Sequence, residues 1–346
     1  MFFGFKIMIG FLKWSFLLAI LAFVYQMDLH ASNIGEKDFN DAGLTDEVVI
    51  PDWFKLSFLD LKEDILEAQE AGKIGLILYF GQSKCPYCKA LVEDNFSKKD
   101  IVSYIQNKFD IVAIDVLGGR SVNSTSGEVM SEKQFAIRSK ANFTPTLIFY
   151  NHSGNEVHRL VGYHSPYVLR AALEYVADLH YARETFSQYL ARADVLPSER
   201  SKSKINYRSF SMKPPYMLAR QKIHAQRPLL VIYEQANCHA CDVLHAGAFD
   251  EQSFIKQLGQ FDVVQLDMWG DTPIITPGGK AMTSKRWAEV QDIFYSPTLL
   301  FFDEKGSEVL RLGSVAHFNR LSNIFKYMTR KAYKTFKNYA DWRENR

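Results

Sequence analysis

Residues Leu59 to Ala71, LDLKEDILEAQEA, set leucine and isoleucine three and four positions apart among acids, the spacing of an amphipathic helix. The pattern then changes. IGLILYF, ending at Phe80, is a short unbroken apolar run and predicts a strand buried on both faces. CKALVEDNF returns to helical spacing, and Ile111 to Val116 is a second apolar run that predicts another strand. After a glycine- and serine-rich loop, LGGRSVNSTSGEV, comes a helical stretch around SEKQFAIRSK. TPTLIFY and EVHRLVG follow as two strands joined by the turn NHSGN, and a long helix should run from Ser165 to Leu190. From the apolar run onward the predicted order is β, α, β, α, β, β, α.

The same landmarks return in order when the chain is laid over itself with a shift of roughly 152 residues. GLILYFGQSKCPYCKAL runs beside PLLVIYEQANCHACDVL, and FDIVAIDV beside FDVVQLDM, which sets Asp115 opposite Asp267. FTPTLIFY matches YSPTLLFF, so Pro145 falls opposite Pro297 and Gly162 opposite Gly313. TFSQY and TFKNY, at Thr185 and Thr335, extend the match to the tails. This is a duplication, with one domain per half. The polar, basic, proline-ended stretch LPSERSKSKINYRSFSMKPP reads as the linker between them. The expected organisation is a domain over 51–192, a linker over 193–215 and a second domain over 216–346.

Composition narrows the class. The 346 residues are 47% hydrophobic and 23% charged, ordinary for a globular chain long enough for two cores. Forty-one lysines and arginines against 39 acids leave a net charge of +2, with no electrostatic footprint of a nucleic-acid partner. At the N-terminus Lys6 and Lys13 precede an uncharged run from Trp14 to Met27, then a polar stretch with Ala31 at a plausible cut. As a helix that run is about 21 Å long, short of the roughly 30 Å of a bilayer core. Residues 1–31 therefore read as a secretory signal; if Lys13 is tolerated, Ile7 to Met27 could just span as an uncleaved membrane anchor. Both readings put the bulk of the chain outside the cytosol, periplasmic or secreted, with possible anchoring to the inner membrane.

All four cysteines lie in two C-x-x-C pairs, Cys85 with Cys88 and Cys238 with Cys241. A bridge across two residues constrains the unfolded chain very little, which counts against a structural staple.

A C-x-x-C after a buried strand, followed by TPT at Thr144 to Thr146 or SPT at Ser296 to Thr298, resembles the thioredoxin superfamily. The resemblance covers both halves, about 280 residues. It implies an α/β fold of two tandem thioredoxin-like domains, each a mixed central sheet flanked by helices. The insert GEVMSEKQFAIRSKANFTPT looks like the periplasmic thioredoxin-like proteins of the SoxW and disulfide-isomerase kind. It also implies that Pro145 and Pro297 are cis and lie beside the cysteines, and that Thr144 and Ser296 meet an extended substrate. Two family features are missing. Lys84 and Asn237 stand where thioredoxin has tryptophan, and Tyr79 and Ile232 stand where it has a buried aspartate.

Thiol–disulfide exchange needs an attacking thiolate and a second thiol near enough to resolve the mixed disulfide. At a helix start, unpaired N–H groups and the helix dipole stabilise negative charge, so Cys85 and Cys238 are the expected attackers, Cys88 and Cys241 the resolving thiols. No cofactor is called for; the expected partners are protein thiols or disulfides and a redox partner protein. The runner-up is a metal-binding protein of the same fold, such as a copper metallochaperone; four thiolates on one zinc is a further option. His239 could tune Cys238. His164 and His245 read as surface residues, Asp115 and Asp267 as polar strand ends, and the sequons at Asn123 and Asn142 as chance. Lys84 and Lys89 should favour the Cys85 thiolate, while Glu234 and Asp242 should disfavour that of Cys238, making the N-terminal pair the more oxidising.

Overall fold

The Asp60 carboxylate accepts from the backbone N–H groups of Lys62 and Glu63 and so starts α1 (Leu61–Glu70), whose buried stripe is Leu61, Ile65 and Ala68. The computed structural model describes residues 39–193 and 205–345. The expected signal or anchor at 1–31 and the middle of the expected linker lie outside the described residues. Among the described residues no helix is long and apolar enough to cross a membrane.

In the first half, β1 (Gly75–Gly81) is buried at every position, as its unbroken apolar run predicts. Next come α2 (Pro86–Ala90), which runs on as a π-helical turn over Leu91–Asn95, then α3 (Lys99–Lys108) and β2 (Phe109–Asp115). A short hairpin of β3 (Ser121–Asn123) and β4 (Val129–Ser131) occupies the stretch read as loop. Then follow α4 (Glu132–Arg138), β5 (Thr146–Asn151), β6 (Glu156–Val161) and α5 (Pro166–Ala177). The sheet order is β2-β1-β5-β6, with β1 parallel to β2 and antiparallel to β5. The single long helix expected here is broken. Leu179 takes a left-handed φ of 59°, and α6 (Phe186–Ala193) turns back so that Phe186 and Tyr189 pack 5.2 and 5.5 Å from the Tyr175 ring. The Tyr175 hydroxyl donates to the Glu184 carbonyl at 2.7 Å and fixes that bend.

The second half repeats the plan. It contains β7 (Tyr216–Met217), β8 (Leu229–Glu234), α7 (His239–Ala246), α8 (Gln252–Leu258) and β9 (Asp262–Asp267). These lead to β10 (Pro273–Ile275), β11 (Ala281–Thr283), α9 (Ser284–Val290), β12 (Thr298–Phe302), β13 (Glu308–Leu312), α10 (Phe318–Thr329) and α11 (Tyr339–Glu344). Its sheet order is β13-β12-β8-β9, the counterpart of the first. Here β10 and β11 form the matching hairpin, extended by β7.

The halves share side chains. Phe143, just before the Thr144-Pro145 bond, is 2% exposed and belongs to the second half's core, 5.1 Å from the Tyr339 ring. Asn142 Oδ1 accepts from the Ala340 N–H at 3.2 Å, and Asn338 Nδ2 donates to the Ile137 carbonyl at 2.7 Å. Gly162, at φ +89°, lets the strands' ends meet: a Cβ there would overlap the Ser314 hydroxyl. Residues from Asn40 onward belong to one compact unit.

Candidate active sites

Both C-x-x-C pairs stand at the exit of a buried central strand. Cys85 is the N-cap of α2, and its Sγ accepts the Cys88 N–H at 3.0 Å; the adjacent Pro86 has no N–H to leave unpaired. The Cys85 thiol also faces Thr144, with Sγ 3.3 Å from Oγ1 and 3.6 Å from the carbonyl oxygen. Cys88 is fully buried beneath it. The second site has the same geometry: Cys238 caps α7, accepts the Cys241 N–H at 3.1 Å and lies 3.5 Å from the Ser296 carbonyl. The peptide bonds preceding Pro145 and Pro297 are cis, and so is Pro214-Pro215. Each expected site residue therefore gathers with its own set: Cys85, Cys88, Thr144 and Pro145 in one, Cys238, Cys241, Ser296 and Pro297 in the other. Cys85 and Cys88 are free thiols, while Cys238 and Cys241 are bridged.

The two thiols of the first site differ in acidity. Burial works against the Cys85 thiolate, but hydrogen bonds from Cys88 and Thr144, the charge of Arg320 and the Cys88 N–H outweigh it, lowering the pKa from 9.0 to about 6. Burial pushes Cys88 the other way, well above its ordinary value, and the adjacent Cys85 adds to this. One thiol is thus poised as nucleophile, and the other stays protonated until it is needed. Tyr79 fills the position of the missing aspartate. Burial and the neighbouring Cys88 push its hydroxyl well above the usual range, so it sits under Cys88 as a neutral group.

Arg320 was not legible as a site residue, because it belongs to the other half. It is the third residue of α10, and its Nη2 donates to the Thr144 carbonyl at 2.8 Å. Its guanidinium lies 3.5 Å from the centroid of the ring of Tyr87, the second of the two residues between the cysteines. The Tyr87 hydroxyl accepts the His317 N–H at 2.9 Å and donates to Asp41 at 3.0 Å. The lysines expected to tune Cys85 point elsewhere: Lys84 is exposed, and Lys89 pairs with Glu93 at 3.7 Å.

Beneath the second site lies a polar network absent from the first. Glu234, 1% exposed, accepts from Gln265 Nε2 at 2.8 Å, and its other oxygen is 2.6 Å from His245 Nε2. His245 is therefore buried and not a surface residue; its position one turn beyond Cys241 faces the sheet. A cavity of about 80 Å³ is bounded by Glu234, Cys238, Cys241 and His245 together. His164 is likewise buried, packed 5.7 and 5.5 Å from the rings of Phe294 and Tyr295, which precede Ser296. These contacts lie across the halves, and sequence periodicity within one half gives no sign of them. His239 is exposed at the mouth of the second site. Asp115 and Asp267 do end their strands, where each accepts a backbone N–H two residues on. Asn123 donates to Asp60, and Asn142 is engaged as described above. Among the described residues no three His, Cys, Asp or Glu side chains converge as a metal site, so the four thiolates do not meet on one zinc.

A tandem pair of strand–C-x-x-C–helix units, each with an X-Pro loop against the first cysteine, defines a thioredoxin-fold redox protein. The family model described as a thioredoxin-like domain matches residues 61–177 and 217–329, well over half of the chain, and the chain belongs to that family. No curated protein sequence matches it. Among solved structures, a thioredoxin-fold protein from Helicobacter pylori is 22% identical, covering 34% of this chain and 78% of its own, with a TM-score of 0.31. A thioredoxin from Thermus thermophilus is 23% identical over 34% of this chain and 83% of its own, with a TM-score of 0.27. A DsbH oxidoreductase is 11% identical over 44% and 99%, also with a TM-score of 0.27.

Proposed function

We propose that the protein is an exported thiol–disulfide oxidoreductase that exchanges disulfides with protein or small-thiol substrates at two sites. The observation that carries this is the division of labour in the first pair: an acidified Cys85 against Thr144, over a buried, protonated Cys88. In the reducing direction the Cys85 thiolate attacks one sulfur of a substrate disulfide. A mixed disulfide forms, and the other substrate sulfur leaves as a thiolate that takes a proton from water. Cys88 then gives up its proton and attacks Cys85 Sγ. The second substrate thiolate departs, and two electrons have passed from the pair to the substrate. The oxidising direction is the reverse. Export is supported by the apolar run Trp14 to Met27 at the N-terminus, preceded by Lys6 and Lys13.

Insulin reduction by dithiothreitol, and oxidation of a dithiol peptide, test the reading. Turnover that disappears when Cys85 and Cys238 are both replaced by serine is expected. Absence of exchange, with stoichiometric copper or zinc copurifying, would replace it with the metal-binding reading. Thiol trapping in cells then gives the direction, reduced pairs marking a reductase or isomerase and oxidised pairs an oxidase.

A further inference from the structure

We propose that Arg320, carried by the second domain, is a positioning residue of the first domain's site, holding negative charge on Cys85 across the interface. The proposal rests on the reading of Cys85 as the attacking thiol. Three observations converge on it. First, the guanidinium is aimed at the site by contacts at both ends. Nη2 donates to the Thr144 carbonyl, the same oxygen that faces Cys85 Sγ, while Nη1 donates to the Val315 carbonyl at 3.3 Å. Second, its charge is not spent elsewhere, since among the described residues no carboxylate forms an ion pair with it. Third, its backbone is anchored. Asp41 accepts the N–H groups of Asn319 and Arg320 at 3.0 and 2.8 Å and also accepts from the Tyr87 hydroxyl, tying the first turn of α10 to the C-x-x-C segment.

The field of this charge reaches several buried groups. It lowers the pKa of Cys85, opposes the rise that burial imposes on Tyr87, and adds to burial in lowering His164. The other titratable groups around Cys85 are Cys88 and Tyr79 below it, Tyr87 and Asp41 beside it, and His317 at 6.3 Å from the Tyr87 ring, while Lys84 is exposed and Lys89 pairs with Glu93. Among the described residues no arginine or lysine makes the equivalent contact to the Ser296 carbonyl in the second site. Val168 occupies the third position of α5, where α10 has Arg320. The first site is therefore assembled from both domains, and duplication alone did not produce it.

The test reads Cys85 by iodoacetamide alkylation against pH, in reduced full-length protein with Cys238 and Cys241 replaced by serine. The unsubstituted site should titrate near 6, as its lowered pKa requires. Arg320→Gln should move the midpoint up by about one unit, the low end for a neighbouring opposite charge, so the rate at pH 5 drops about tenfold while that at pH 9 is unchanged. Arg320→Lys keeps the charge and should keep the midpoint. A role in folding or docking alone would lower the melting temperature and leave the midpoint where it was. If Arg320→Gln does not fold, Arg320→Met, which retains the stem over Tyr87, takes its place. An unmoved midpoint in the neutral variant, or an equal shift in Arg320→Lys, overturns the proposal. Because alkylation needs no turnover, a protein that fails to reduce insulin yet shows this shift would refute the proposed function and leave the Arg320 assignment standing.

Discussion

Replacing Cys85 with serine in the reduced protein should remove stability that grows with pH. The folded thiol titrates at about 6 and the unfolded one at 9.0, so between those values the folded state carries a charge the unfolded state lacks. A depressed pKa contributes stability that is complete above the unfolded value and is lost as pH falls through the folded one. With about 1.4 kcal/mol per unit, three units give about 4 kcal/mol above pH 9, about 3 at pH 8.5, about 1.4 at pH 7 and almost nothing at pH 5. Cys85 is 2% exposed, so solvent screening does not discount the figure. Urea unfolding at pH 5, 7 and 8.5 measures it, comparing the Cys238→Ser, Cys241→Ser protein with the same protein carrying Cys85→Ser. Serine changes packing by an amount that does not vary with pH, which the pH 5 measurement isolates. A difference that stays flat from pH 5 to pH 8.5 would refute the claim that Cys85 is held as a thiolate.

Other outcomes follow from the same geometry. Cys88→Ala and Cys241→Ala should accumulate mixed disulfides with substrate on non-reducing gels; accumulation in Cys85→Ala or Cys238→Ala instead would reverse the assignment of attacker and resolver. His164 is held neutral by burial, its pKa lowered from 6.5 to about 4, so its stabilisation is complete above pH 6.5 and is lost as pH falls to 4. His164→Phe should therefore flatten acid unfolding by about 3 kcal/mol over that window, and an unchanged acid limb would count against a neutral buried imidazole. Phe143→Ala should cost about 3–5 kcal/mol, because it empties a site in the second domain's core; chemical denaturation with the second domain's transition unmoved would show that the halves do not share that core.

Most of the fold was legible because each half repeats local patterns that do not depend on the other. The unbroken run at β1 and the three- and four-residue spacing of the α1 stripe are settled by burial within one domain, and both fall where the periodicity puts them. The two cysteine pairs and the Thr144-Pro145 and Ser296-Pro297 dipeptides were legible for the same reason. What escaped depends on contacts distant in sequence. The helix expected to reach Leu190 breaks at Leu179 because Tyr175 and Phe186 pack on each other, a tertiary gain that helical spacing does not encode. Lys84 and Lys89 looked decisive because they are adjacent in sequence, yet exposed side chains turn to solvent and to Glu93, while Arg320 arrives from another domain. His164 and His245 carried no surface or core signature of their own. Their neighbours Phe294 and Glu234 decide it.

The lower Cys85 pKa bears on how the two sites are poised against each other. Whatever stabilises the thiolate stabilises the reduced pair, and a stabilised reduced pair makes the corresponding disulfide the stronger oxidant, by about 30 mV for each 1.4 kcal/mol. In the first site Thr144 and Arg320 both favour the thiolate. In the second, the one arginine of α5, Arg170, is paired with Glu174, and the acidic side chains of Asp242 and Glu234 border the cysteines' cavity, Glu234 being paired with His245. A carboxylate near Cys238 opposes a second negative charge there. The N-terminal pair should therefore be the more oxidising, with electrons running from Cys238 and Cys241 to Cys85 and Cys88 whenever the pairs exchange. The sequence alone expects the same ordering through Lys84 and Lys89; the agent proposed from the structure is an arginine of the second domain. Equilibrating full-length protein against glutathione buffers, with one pair at a time replaced by serine, gives each potential separately. Equal potentials, or a more oxidising C-terminal pair, would refute this ordering. A gap that closes in Arg320→Gln would identify the interface charge as its source.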